Sequence, residues 1–386
     1  MGICSAIIKL FVIYILRFCM YCLRIFPVKK GRIIFNSYRG SQYSCNPKYI
    51  SEYLEKYNNG NYELIWAFNH PEKYYYLKDR GIKVVKYGSL KRFYYESTCT
   101  FSVNNVGSFS WLPTRNGQYH INTWHGGGCY KKVSLGEKRN GYLYIKSLLL
   151  TADETSFFIS SSKFSTNNII PNDFGYKGKI LNYGLPRNDV FFDDDEMLQL
   201  KNKVLKQFDL LNNVYIILYA PTWRYDMTCN ITFPDFKSIS TIISEKTGRD
   251  VCVLVRRHPN LRTNIDHGYI DVTSYPDMQE LLCASDMLIS DYSSCIWDYS
   301  FTFRPCILFI PDLKEYETER GFCIDIRKWG FPISTDNEEL KKIIKNFDVH
   351  KFKKSIDEHH KVLGSFENGY ARKAIMNLID LKIKGD

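Results

Sequence analysis

From Gly31 onward, short apolar runs alternate with longer stretches in which apolar residues recur at helical spacing. RIIFNSY, YELIWAF, IKVVKYG and TFSVNN read as strands, and Pro47 to Tyr57 between the first two reads as a helix, the alternation of an open parallel sheet. A second series follows a charged joint, RNDVFFDDDEMLQLKNKVLKQF. Its strands are predicted in VYIILYAPTWR, DVCVLVRRHP, YIDVTSY, DMLISDYSS and PCILFIPDL. Two successive α/β sets meeting near Asn188 predict two Rossmann-like domains facing a cleft, residues 28–187 and 188–386. In such sheets ligands bind beyond the carboxyl ends of strands, where the distinctive polar tripeptides of this chain fall.

The N-terminal pattern is different. SAIIKLFVIYILRFCMYCLRIFPVKK is strongly apolar, but Lys9, Arg17 and Arg24 interrupt it, and the longest charge-free stretch between them falls far short of the roughly 18 to 20 residues of a spanning helix. On a helical wheel the three cations share a sector of roughly 80°, with Ile7, Ile8, Phe11, Ile15, Phe18, Cys22 and Ile25 outside it. Residues 1–27 are therefore expected to form an amphipathic helix lying in a membrane interface, ended by Pro27, with VKKGR adding attraction to acidic headgroups. The alternative is a helix covered by the protein's own core. No small-residue cleavage site follows, which argues against a removable signal peptide.

At 386 residues and 45% hydrophobic content, the chain can bury two ordinary cores and is not a disordered sequence. Its net charge of +11 favours anionic partners, with nucleic acid, acidic lipid and nucleotide phosphates all qualifying. Twelve cysteines are dispersed, and the one CxxC, Cys19 to Cys22, has no second pair to complete a zinc site, so reduced intracellular thiols are the simplest reading.

Four stretches carry candidate chemistry. TWHGGGCYKK, residues 123–132, sets His125 before a glycine run whose backbone N–H groups are expected to approach a phosphate, with two lysines behind. In DMLISDYSSCIWDYSF an apolar strand ends at Asp291, and Ser293 and Ser294 stand where a helix start would offer hydroxyls and N–H groups to phosphate oxygens; an ordinary serine cap is the competing reading. Asp298, one turn on, either faces a ribose hydroxyl or complements the helix dipole. VLVRRHPN puts Arg256, Arg257 and His258 at a strand end, a cationic set suited to pyrophosphate, against the alternative of a surface salt-bridge cluster. YAPTWR follows the same strand-then-polar rule, although a packed Trp223 with a solvated Arg224 explains it nearly as well.

In this order and spacing, NTWHGGGCYKK, YGLPRND, YAPTWR, VRRHP, SDMLISDYSSCIWDY, YETERGF and FENGYA resemble the CDP-glycerol glycerophosphotransferase family, the teichoic acid polymerases and primases, from about Asn122 to Ala371. The resemblance implies a GT-B fold at the cytoplasmic membrane face. It implies transfer of a polyol phosphate from CDP-glycerol or CDP-ribitol to an undecaprenyl-linked glycan or growing polymer, with CMP released. His125 matches the histidine of the family's WHG element, the general-base candidate, and His258 and Arg256 match its RxHP element. Asp291, Ser293, Ser294 and Asp298 match the SDYSS and FDY elements around the donor. Gly126 and Gly127 are carried over as substrate contacts, and Arg187 and Arg320 as structural or phosphate-positioning residues. One departure is the replacement of the common WHGTPLK by WHGGGCYKK, which opens the acceptor side to a capsular or other surface polysaccharide.

The expected reaction is attack of an acceptor alcohol on the β-phosphorus, with His125 taking the proton and Arg256, His258, Ser293 and Ser294 stabilising charge on the β-phosphate and CMP. No metal is expected to be required, although Mg²⁺ stimulation is compatible with the chemistry. Two other classes compete: a GT-B glycosyltransferase using a nucleotide sugar, and a basic membrane-tethered scaffold or nucleic-acid binder. Dispersed cations and polar motifs at strand ends argue against nucleic acid.

Overall fold

The structure, a computed structural model, describes residues 3–137, 141–222, 232–257 and 268–385, with side chains from Ile7 onward in the N-terminal helix. It divides into two compact units. The first comprises Met1–His125, Val133–Asp189 and Ser365–Asp386; the second comprises Gly126–Lys132 and Val190–Gly364.

The first unit is built on seven parallel strands: β1 (Lys29–Asn36), β2 (Glu63–Phe68), β3 (Lys83–Lys86), β4 (Cys99–Asn104), β5 (Tyr119–Asn122), β6 (Phe157–Ile159) and β7 (Lys179–Leu181). Their order is β3-β2-β1-β4-β5-β6-β7, with the direction of winding reversing between β1 and β4. The central strands are buried on both faces: β1 and β2 accordingly read as near-continuous apolar runs, whereas β4, CTFSVN, alternates Cys99, Phe101 and Val103 with buried Thr100, Ser102 and Asn104. The expected helix spans Cys45–Lys56, and Leu54 and Ile50 on it pack with Ile33, Phe35 and Trp66.

The second unit repeats the plan with β8 (Tyr215–Ala220), β9 (Val251–Val255), β10 (Ile270–Asp271), β11 (Met287–Ser290), β12 (Cys306–Phe309) and β13 (Ile333–Ser334), again all parallel. The order β10-β9-β8-β11-β12-β13 reverses between β8 and β11. Both sheets thus carry a topological switch point at their centre, where open parallel sheets bind ligands.

Two expectations about organisation need revision. The C-terminal region was expected to belong wholly to the second domain. Instead the helix Ala371–Lys384 inserts Ile375, Leu378 and Ile379 into the core of the first sheet. The carboxylate of Asp189 accepts from the N–H groups of Ala371 (3.1 Å) and Arg372 (2.8 Å), fixing the start of that helix, because a buried acidic group is satisfied by orphan helix N–H groups.

The second concerns the N-terminal helix, Ile3–Cys22, which the structure turns the opposite way from a headgroup-facing cationic stripe. Arg17 pairs with Glu154 at 2.5 Å and donates to the Ser110 carbonyl, while Arg24 donates to the carbonyls of Pro113 and Thr114. Met20 packs with Phe109 and Leu112. Two of the three cations therefore dock the helix onto the first unit, and the apolar side, including Phe11 (65% exposed) and Phe18 (69%), faces outward. No described helix is long and apolar enough to cross a membrane.

Candidate functional site

In the first unit, the loops after β1, β4 and β5 carry the polar groups nearest the switch point. Tyr38 and Arg39 follow β1, Asn105 to Ser108 follow β4, and Trp124 and His125 follow β5. The β5 loop is held from below: the Asn46 side-chain amide donates to the Trp124 carbonyl at 2.9 Å, and the Trp124 N–H donates to Asn122 Oδ1 at 3.0 Å. Trp124 adopts a left-handed conformation (φ 49°), an uncommon state for a bulky residue that these bonds stabilise.

His125 follows directly. Its ring is flanked by Trp124 (centroids 4.2 Å apart) and Tyr38 (5.5 Å). Its Nδ1–H donates to the Asn105 carbonyl at 2.7 Å. A backbone carbonyl can only accept, so this bond fixes the tautomer and leaves the lone pair on Nε2, the form a general base needs. His125 lines a cavity of about 530 Å³ within the first unit, whose wall includes Arg39, Arg92, Ser108, Trp111 and, from the N-terminal helix, Leu16.

Two of the glycines after His125 are close-packing positions. Gly127 lies against Trp297, and a Cβ there would stand 1.9 Å from Trp297 Cδ1. Gly128 sits at φ 69°, close against the Tyr130 ring. Tyr130 is buried on Trp329 and donates its hydroxyl proton to His359 Nε2 at 3.0 Å, while Cys323 N–H donates to the Tyr130 carbonyl. Residues 126–132 are thus a strap of the second unit. Trp297 fills the space in which a side chain at 127 would stand, so this position is held to glycine by its aromatic neighbour.

Several residues expected at the donor phosphates are engaged by the protein itself. Asp291, at the end of β11, accepts from the Thr222 N–H (2.9 and 2.8 Å) and hydroxyl (2.6 Å), tying together the two loops at the switch point of the second sheet. Asp298, in the first turn of the helix Cys295–Ser300, is buried and accepts from the Gln279 side-chain amide at 3.0 Å. Ser294 precedes a helix of only six residues, Cys295–Ser300, and makes no capping bond through its side chain. The Ser293 hydroxyl accepts from the Cys295 N–H at 3.4 Å. Arg257 is ion-paired with Asp271, and the Arg256 guanidinium reaches Met278 Sδ at 3.4 Å. Arg320 ends the helix Leu313–Glu319, its N–H donating to the Tyr316 carbonyl. His258, with Trp223 and Arg224, lies outside the described residues.

YGLPRND is tied into the first unit. Arg187 is buried, with its Nη1 on Cys45 Sγ, and Glu367 of FENGYA accepts from Leu185 N–H and the Asn188 side chain, locking these two motifs together inside the first unit. Arg39 was not singled out from sequence, although NSYRG follows β1 as TWHGGG follows β5.

Compared with known proteins, residues 18–381 match the family described as CDP-Glycerol:Poly(glycerophosphate) glycerophosphotransferase. The teichoic acid poly(glycerol phosphate) polymerase of Staphylococcus epidermidis is 30% identical over 373 residues, covering 92% of this chain and 51% of the relative. The polymerase of the same description from Bacillus subtilis is 28% identical over 370 residues, covering 92% and 49%. The chain therefore spans about half the length of these two relatives. The solved structure of the wall teichoic acid polymerase TagF superposes with a TM-score of 0.79 at 30% identity, covering 92% of this chain and 90% of that one. With the match running through both sheets and all seven motifs, the chain belongs to the CDP-glycerol:poly(glycerophosphate) glycerophosphotransferase family.

Proposed function

We propose that this protein transfers a polyol phosphate from CDP-glycerol, or from CDP-ribitol, to a hydroxyl of an undecaprenyl-linked glycan or growing surface polymer, teichoic or capsular, releasing CMP. The observation that carries the reading is the His125 tautomer, with Nδ1–H spent on the Asn105 carbonyl and Nε2 left basic in a roomy cavity. The acceptor oxygen attacks the β-phosphorus, its bond to phosphorus forms as the bridging P–O bond to CMP breaks, and the hydroxyl proton passes to His125 Nε2.

In this reading the first unit takes the acceptor and the second takes the nucleotide in a GT-B arrangement. Arg256, His258, Ser293, Ser294 and Arg320 meet the phosphates, and Asp291 and Asp298 hold the loops that present them. The exposed apolar side of the N-terminal helix rests on the cytoplasmic membrane face, where the lipid-linked acceptor resides. Charge is met by side chains rather than a required ion, with Mg²⁺ acting at most as a stimulant.

The test is CMP release by detergent-solubilised protein given CDP-glycerol, CDP-ribitol and UDP-sugars in parallel, with membrane lipid extract as acceptor. CMP from one CDP-polyol fixes both reaction and donor. Turnover of a UDP-sugar alone would instead make the chain a nucleotide-sugar glycosyltransferase.

A further inference from the structure

The cavity that contains His125 has two guanidinium groups in its wall, Arg39 and Arg92, and no carboxylate. Such a wall selects an anion. Arg92 is 4% exposed and already paired, with Glu96 at 3.3 Å and the Tyr87 carbonyl at 2.9 Å, so the charge left for a ligand in this wall is that of Arg39. Ser108, from the loop after β4, has a buried hydroxyl without a hydrogen-bond partner. Arg39 is exposed, and among the described residues its guanidinium makes neither a hydrogen bond nor an ion pair.

The backbone that presents Arg39 is strained. Tyr38 (φ 46°) and Arg39 (φ 56°) are consecutive left-handed residues, a conformation that costs free energy for each side chain and persists where the surroundings enforce it. Those surroundings are specific: the Tyr38 N–H donates to Asn105 Oδ1 at 2.8 Å, and the Asn69 side chain donates to the Arg39 carbonyl at 3.1 Å. Asn105 therefore fixes the Arg39 turn with its side chain and the His125 tautomer with its carbonyl. The turn and the histidine flank the switch point of the first sheet.

We infer that Arg39 binds a phosphodiester of the acceptor, so that a chain already ending in a polyol phosphate is gripped one unit behind the hydroxyl that His125 deprotonates. The inference rests on the proposed transfer reaction, which assigns this cavity to the acceptor. Arg39 acts as a specificity residue that favours elongation of a phosphate-bearing acceptor over a first addition to a neutral one.

The experiment uses the full chain and a soluble probe, glycerophosphoglycerol, whose binding is measured by calorimetry without donor, with uncharged diglycerol as control. Arg39→Ala should weaken glycerophosphoglycerol binding by about tenfold to a hundredfold, the effect of losing a charge-assisted contact, and weaken diglycerol binding much less. Arg39→Lys should recover part of the loss, since an ammonium supplies charge without the planar fork. Arg39→Gly should weaken binding while raising the melting temperature, because glycine adopts φ 56° without strain. Equal binding by wild type and Arg39→Ala, or no binding by wild type, overturns the inference. CMP release from CDP-glycerol, run beside it, judges the transfer reaction separately: loss of binding in Arg39→Ala with no CMP from wild type would leave the anion site standing and remove the reaction.

Discussion

Gly127 and Trp297 are in a contact that leaves no room for a side chain: a Cβ at 127 would lie 1.9 Å from Trp297 Cδ1 and 2.6 Å from its Nε1. Trp297 is fully buried against Phe301 and His360, so it cannot swing away. Gly127→Thr should destabilise the second unit by about 1–3 kcal/mol, the usual cost of overpacking. Trp297→Phe should remove much of that penalty in the double variant, giving a coupling on the order of 1 kcal/mol in a thermal or denaturant double-mutant cycle. Additive effects would mean the glycine is kept for another reason.

His125→Ala should lower CMP formation by about 10²- to 10⁴-fold, the range for a positioned general base, with little change in melting temperature because the ring is half-exposed. Asn105 offers a subtler probe. Its backbone carbonyl survives any substitution, so Asn105→Ala keeps the tautomer bond yet releases the Tyr38 N–H, and the loss should fall on KM for the acceptor more than on kcat.

Two buried histidines and a half-buried third make the fold acid-sensitive. Burial pushes His120 in the first unit, and His359 and His360 in the second, down to about 4. In the unfolded chain these rings take up protons near 6.5, while the folded rings stay neutral until about 4. Between those values the unfolded state binds more protons, so stability falls as pH drops from 6.5 toward 4, by up to about 3 kcal/mol per histidine. Urea unfolding at pH 7.5, 6 and 5 should show the second unit losing roughly twice as much as the first. Midpoints that do not move over this range would contradict neutral burial.

Phe11 and Phe18 stand on the exposed apolar side of a helix anchored by Arg17. Replacing both with Asp should reduce binding to anionic lipid vesicles by at least about a hundredfold, since burying each ring is worth about 1.5–3 kcal/mol, while leaving thermal stability nearly unchanged. Arg17→Ala should do the reverse first, loosening the helix from Glu154 and lowering stability. Sedimentation with vesicles and a melting curve distinguish the two. Unaltered sedimentation of the Phe11→Asp, Phe18→Asp variant would remove this surface from membrane contact.

The strands at the centre of both sheets were legible because burial on two faces makes continuous apolar runs such as RIIF, ELIWAF and YIILYA. The outer strands Phe157–Ile159 and Lys179–Leu181 were not, because three residues carry no period. The polarity of the N-terminal helix was also hidden: the wheel separates charge from hydrocarbon, but only tertiary partners such as Glu154 and the carbonyls of residues 110, 113 and 114 determine which side faces out. His125 was visible through its motif, whereas the protein partners of Asp291, at a strand end, and of Asp298, in the first turn of a helix, were not, because Thr222 and Gln279 are brought to them only by the fold.

Because Ile375, Leu378 and Ile379 complete the core of the first sheet, that sheet is finished by residues a ribosome adds only after the entire second unit. During synthesis the first sheet must wait with one apolar face uncovered while its neighbour folds, so the order of folding opposes the order of translation. A nascent chain released before Ala371 would carry a complete second core beside an open first one, and such intermediates are where protease and chaperone would meet this protein.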